Sequence, residues 1–146
     1  LKEGAIVAGA SAEDAENLYN YGIHVGLGFQ LMDDLLDVYG DSSNFGKKIG
    51  GDILCNKKTF LFINALLSEE VKDDLISWVN KENYDAAEKI KAVTAIYNKL
   101  NLKQKSEDLI NDYYKQAVTC LDKVSIDASR KKELYKLAES LMTRIS

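Results

Sequence analysis

Apolar residues recur at three- and four-residue steps along most of this chain. From Leu18 the series Tyr21, Val25, Phe29, Met32 and Leu36 traces a single stripe, the spacing of an amphipathic helix. Ser11 ahead of Glu13 and Asp14 has the form of an N-cap followed by acids in the first turn. The helix is therefore predicted to begin there and to reach about Tyr39. Gly22, Gly26 and Gly28 lie inside it, each unfavourable by about 1 kcal/mol relative to Ala. Close approach of a neighbouring helix or a ligand would account for them. Turn formers, Gly40-Asp41-Ser42-Ser43-Asn44, end the stripe, and a Gly- and Lys-rich connector without clear period runs to Thr59. The run 60–67 is apolar nearly all round and predicts a short buried helix. Ser68-Glu69-Glu70 opens another, ending near Asn80 with Trp78 on its apolar face. Three further helices are predicted over about 84–100, 102–124 and 128–145. Stripes such as Ala87, Ile90, Val93, Tyr97 and Leu134, Leu137, Leu141 are expected to face a core. The pattern reads as an all-α helical bundle, with no internal repeat and no boundary to a second domain.

Composition narrows the classes. At 146 residues the chain can bury one substantial core. A net charge of -4, with charged residues of both signs mixed along the chain, gives no basic stripe for nucleic acid. Proline is absent, which favours long helices with short connections. Cys55 and Cys120 are too few for a disulfide framework or a zinc site and are expected to be thiols in a reducing compartment. No apolar run approaches the roughly 18 residues of a membrane span, and no signal peptide is visible. The expectation is a cytoplasmic protein without a transmembrane segment. The chain opens at Leu1 and runs straight into the small-residue segment Gly4-Ala5-Ile6-Val7-Ala8-Gly9-Ala10, as a portion of something longer would.

Within this frame the run Gly28-Phe29-Gln30-Leu31-Met32-Asp33-Asp34-Leu35-Leu36-Asp37 stands out. It sets three carboxylates in an otherwise apolar helical stretch. Asp33 and Asp37 are one turn apart on one face, and Asp34 lies about 100° round the helix on its flank. Like charges this close are unfavourable unless a cation or free water reaches them. Mg²⁺ takes oxygen ligands, usually one or two carboxylates with waters and substrate phosphates. Downstream, Lys47, Lys48, Lys57 and Lys58 sit in a connector whose glycines let the backbone approach an anion. Taken singly, the acids fit an ordinary solvated helix face and the lysines an ordinary loop. Together they suit metal-assisted diphosphate chemistry. His24, Tyr97, Tyr113, Tyr114 and Trp78 read as packing residues, and Arg130-Lys131-Lys132 as a patch on a helix surface.

Phe29-Gln30-x-x-Asp33-Asp34-x-x-Asp37 resembles the second aspartate-rich motif of the trans-isoprenyl diphosphate synthases, or polyprenyl synthetases. Tyr21-Gly22, Gly26 and Gly28 resemble the approach to it. Gly46-Lys47-x-x-Gly50-x-Asp52, then Lys57-x-Thr59, resembles the lysine loop that follows, and Gly4-Ala5-Ile6 the lead-in. The resemblance implies an all-α bundle around a deep cavity, with two aspartate-rich motifs facing each other across its mouth. It implies Mg²⁺ on those motifs, binding the diphosphate of an allylic substrate. Ionisation would give an allylic cation, which the double bond of isopentenyl diphosphate attacks before a proton is lost. Carried over, Asp33 is the principal metal ligand, and Asp34 and Asp37 are further ligands, directly or through water. Lys47 and Lys57 contact the allylic diphosphate, Gln30 lies near the reacting tail and Phe29 lines the pocket. Asp52 orders the loop, and Lys48 has no clear role. A homodimer is the expected assembly.

The departure from the family pattern is large. The earlier Asp-Asp-x-x-Asp motif, with its arginines, does not occur, and Arg130 and Arg144 are the only arginines. Residues 1–146 therefore correspond to the C-terminal portion of a polyprenyl synthetase domain. The isolated chain is not expected to complete the reaction. Alternatives are a non-catalytic or regulatory helical subunit of a prenyl synthase, or a terpene cyclase-like enzyme on the same fold. The Lys47 and Lys57 loop and the Phe29-Gln30 pair favour the synthase.

Overall fold

A computed structural model of the protein describes residues 11–40 and 49–145. Among these residues there are seven helices and no strands: α1 (Ala12–Tyr39), α2 (Gly51–Leu54), α3 (Phe60–Leu66), α4 (Lys72–Asn80), α5 (Ala86–Lys99), α6 (Leu102–Asp122) and α7 (Ala128–Ile145). The all-α expectation holds, and no described helix is long and apolar enough to cross a membrane. The turn expected at 41–44, Lys47, Lys48 and the small-residue segment at 4–10 lie outside the described residues.

The chain gathers into two compact units, the first formed by the residues up to Met32 together with those from Asp108 onward, the second by Asp33–Glu107. In the first, Tyr21, Val25, Ala117, Leu121 and Ala138 make a buried cluster to which Leu18, Phe29 and Leu134 add partial cover. The α1 stripe is thus the core face the periodicity indicated. Ser11 caps α1 through its Oγ, which accepts from the Asp14 amide at 3.1 Å. Buried Asp14 in turn accepts from the Ser125 amide at 2.9 Å, tying the helix start to the turn before α7. Gly28 has the close approach it needed: a Cβ there would lie 2.9 Å from Leu141 Cδ1. Gly26 has none, with no atom within 4 Å of a Cβ position.

The second unit closes over Val38, Ile53, Leu61, Ala65, Leu75, Val93 and Tyr97, with Trp78 and Ile90 packed against them. Thr59 caps α3, its Oγ1 accepting from the Phe62 amide at 3.1 Å, and Asp85 caps α5 in the same way through Glu88. The connector that the sequence left without period holds the single turn α2, entered through Gly50 at φ 93.

Several expectations are corrected. Helix α4 begins at Lys72, because Ser68 accepts backbone bonds from Val71 and Lys72 in a turn of its own. Helix α3 is not buried all round, since Ile63 and Leu67 face out. On α5 Ala87 is exposed and Lys89 takes the buried position at that end of the stripe. On α7 Leu137 is exposed and Ala138 is buried in its place. Lys131 is no surface residue: its ammonium is buried and donates to the carbonyls of Leu121, in the last turn of α6, and Val124, just beyond it.

These two kinds of glycine should respond oppositely to a methyl group. Gly26→Ala is expected to stabilise by about 1 kcal/mol, the helix-propensity difference. Gly50→Ala should destabilise by about 2 kcal/mol or more, because φ 93 strains any L side chain and a Cβ would lie 2.6 Å from Ile90 Cδ1. Urea unfolding of the two variants followed by circular dichroism measures both.

Candidate active site

The C-terminal end of α1 presents its acids in three environments. Asp33 is exposed, Asp37 half-buried and Asp34 buried. This follows from the helix: Leu35 and Val38, both buried, mark a side that packs, and Asp34, one turn before Val38, falls on that side. A carboxylate so placed needs a cation or hydrogen bonds. Lys57 supplies one, its Nζ 3.3 Å from Asp34 Oδ1 and 3.8 Å from Asp52 Oδ2. The lysine remains half-exposed at 52% while the Asp34 side chain retains 8%.

The two partners respond unequally. Burial pushes the Asp34 carboxyl above the usual carboxylate range, and the hydrogen bond from Lys57 only partly offsets that desolvation. Lys57 is held above the usual lysine range, chiefly by its hydrogen bond to Asp34 and then by the charges of Asp34 and Asp52. The exposed ammonium keeps its water while gaining an anion. The buried carboxylate loses water and regains less.

Asp37 organises the loop's return. Its Oδ2 accepts from the Asp52 amide at 2.9 Å, and its carbonyl accepts from the Gly50 amide at 2.7 Å. Helix α2 therefore starts against α1, and a Cβ on Gly51 would already be 3.7 Å from Asp37 Oδ1. From α2 the chain turns through Asn56 at φ 54, and the Lys57 amide donates back to the Asp52 carbonyl at 2.9 Å. The structure thus gathers Asp34, Asp37, Asp52 and Lys57 in one unit. Phe29, packed against the other unit's core cluster, and exposed Gln30 stand about one turn earlier on α1. Lys47 lies outside the described residues.

As donors for Mg²⁺ the acids fit in kind, all hard oxygen ligands. Among the described residues no three His, Cys, Asp or Glu side chains are gathered into a ready-made cage. Two features escaped the sequence reading. Asp34 is spoken for by Lys57, and Asn56 carries a positive φ, detectable beforehand only as an Asn at a loop corner.

Solved structures similar to this chain include isoprenyl diphosphate synthases. A geranylgeranyl pyrophosphate synthase superposes with a TM-score of 0.87 at 36% identity, covering 99% of this chain and 46% of that one. A geranylgeranyl pyrophosphate synthase from Corynebacterium glutamicum, complexed with isoprenyl diphosphate and magnesium, superposes at 0.81 with 32% identity, covering 97% and 40%. The geranylgeranyl diphosphate synthase of Saccharolobus solfataricus is 32% identical over 145 residues, 97% of this chain and 43% of that protein. The chain belongs to the polyprenyl synthetase family, whose model matches residues 1–97. It spans less than half the length of the curated relatives it matches.

The unequal Asp34–Lys57 pair makes a stability prediction. Below the ordinary carboxyl range Asp34 is neutral whether folded or unfolded. The desolvation penalty enters as pH rises through the ordinary carboxyl range, where the unfolded chain ionises first, and is complete above the raised folded value. Asp34→Asn should therefore raise the thermal unfolding midpoint at pH 7, and the gain should fade as the pH falls into the ordinary carboxyl range. Melting curves of the two proteins across that interval would show it. An unchanged or lowered midpoint at pH 7 would mean that Lys57 outweighs the burial.

Proposed function

We propose that this chain carries one diphosphate-binding half of a trans-prenyltransferase. The reaction would condense isopentenyl diphosphate with an allylic diphosphate to a longer linear isoprenyl diphosphate. The observation that carries the reading is the Asp34–Lys57 pair. It sets a half-exposed ammonium, with pKa raised, beside the acids of α1 in a chain of the polyprenyl synthetase family.

In this proposal Asp33, the exposed acid, is the principal Mg²⁺ ligand, and Asp34 and Asp37 hold the ion further, directly or through water. Bound Mg²⁺ supplies positive charge to a leaving diphosphate. Lys57 contributes a second positive charge from the loop, and Lys47 a third. Charge builds on the diphosphate as its bond to the allylic carbon breaks, so fixed ammonium groups act more strongly in the transition state than in the ground state. Phe29 borders the hydrocarbon tail and Gln30 lies near it, giving an apolar surround in which the cation meets little water. A homodimer is the proposed assembly. The 146 residues alone, without a second Asp-Asp-x-x-Asp, are proposed not to turn over.

The test is product formation by the complete gene product from labelled isopentenyl diphosphate with dimethylallyl, geranyl or farnesyl diphosphate. A longer prenyl diphosphate is expected with Mg²⁺ and none with excess EDTA. Asp33→Asn and Lys57→Ala should each lower turnover about tenfold or more, ~1.4 kcal/mol of barrier. Wild-type kinetics in both variants would remove these residues from the site.

A further inference from the structure

Lys89 is 1% exposed, and among the largest side chains in the molecule that are fully buried. It stands in the first turn of α5, one turn before buried Val93, where a Leu or Met would add apolar contact without bringing a charge into the core. Burial pulls its ammonium below the usual lysine range, with a smaller opposing pull from nearby Cys55. A buried ammonium needs polar partners. The Lys89 Nζ donates to Asn56 Oδ1 at 2.8 Å and lies 4.5 Å from the centre of the Tyr84 ring.

Asn56 is no ordinary acceptor. It holds the left-handed corner at φ 54, and the next residue is Lys57. Its amide donates to Ile53 and the Lys57 amide to Asp52, so the corner closes directly on the end of α2. Lys57 then reaches Asp34 at 3.3 Å. Beside Lys89, Ile90 sits where a Gly50 Cβ would go, so the same turn of α5 also packs on the entry to α2. One turn of α5 thus braces the loop at both ends.

We infer that Lys89 is a positioning residue for the candidate diphosphate site: by holding the Asn56 side chain from the core, it fixes the corner that aims Lys57 at Asp34. The inference rests on Lys57 contacting the allylic diphosphate. Lys89 itself, buried behind the loop, touches no substrate. A non-left-handed conformation at Asn56 would swing Lys57 away from Asp34, and the side-chain bond from α5 opposes that change.

The experiment compares Lys89→Met, Asn56→Gly and the double variant with Lys57→Ala in the complete gene product. Met keeps the apolar bulk. Gly keeps the positive φ but removes the acceptor. The expected result is a KM for the allylic diphosphate raised several-fold by either single change. The KM for isopentenyl diphosphate should stay near wild type, and the double variant should be no worse than the singles, as for two parts of one device. A purely structural role would lower the amount of folded enzyme without separating the two KM values. Wild-type allylic KM in Asn56→Gly would overturn the inference, whether or not Lys89→Met folds. Equal rises in both KM values would overturn it too. If Lys57→Ala leaves the allylic KM unchanged, the underlying placement of Lys57 fails and this inference falls with it. If Lys57→Ala raises the KM while Asn56→Gly does not, only the role of Lys89 is lost.

Discussion

Asp34 is turned toward the core by the helix it belongs to, and the chain after the motif has to come back to it. Leu35 and Val38 are buried on the same side, so α1 cannot rotate to expose Asp34 without withdrawing them. Lys57 meets the carboxylate from more than twenty residues downstream. Its ammonium lies 3.3 Å from a side chain the chain has already passed. Asp37 starts the return by accepting from Asp52, and Thr59 ends it by capping α3. Three residues of an apparently irregular loop therefore have assigned mechanical parts.

Charge in this molecule falls into two populations. Lys131 is buried and donates to carbonyls at and just past the end of α6, and Lys89 is buried and donates to a loop side chain. These ammonium groups are committed to the fold. Lys57 keeps half of its surface in water, and Asp33 is exposed. The diphosphate chemistry proposed for this chain would need the second population, since a group sealed in the core cannot follow a ligand that arrives and leaves. The loop thus connects a structural lysine at Asn56 to an accessible one at the adjoining position.

The helices other than α2 were legible because each carries an apolar period and, in three cases, a side-chain cap of ordinary type: Ser11, Thr59 and Asp85. The bounds of α7 agree with the sequence expectation, and those of α1 differ little from it. What periodicity could not reveal was which member of a stripe is displaced by a long polar side chain. Lys131 and Lys89 both look like surface residues in one dimension, and each is buried with its ammonium donating to a carbonyl or side-chain oxygen within reach. Single-turn α2 was invisible for the opposite reason. It is set by Gly50, whose positive φ and contact with Ile90 are tertiary facts. At the site, the acidic spacing indicated that Asp33 and Asp37 share a face with Asp34 on the flank. The pairing of Asp34 with Lys57 depends on a loop path with no sequence period.

The pairing also explains why the arrangement resists simplification. Replacing the buried acid by an apolar residue would relieve desolvation, yet Lys57 would then lose the anchor that keeps its ammonium near the other acids. Replacing the lysine would leave Asp34 buried without its cation, the more damaging change of the two. The stability given up at Asp34 is recovered by the apolar cluster of Val38, Ile53, Leu61 and Leu75 beneath the loop. The core of this unit and the placement of its charges are therefore one problem: the same packing that strands a carboxylate also steadies the loop that answers it.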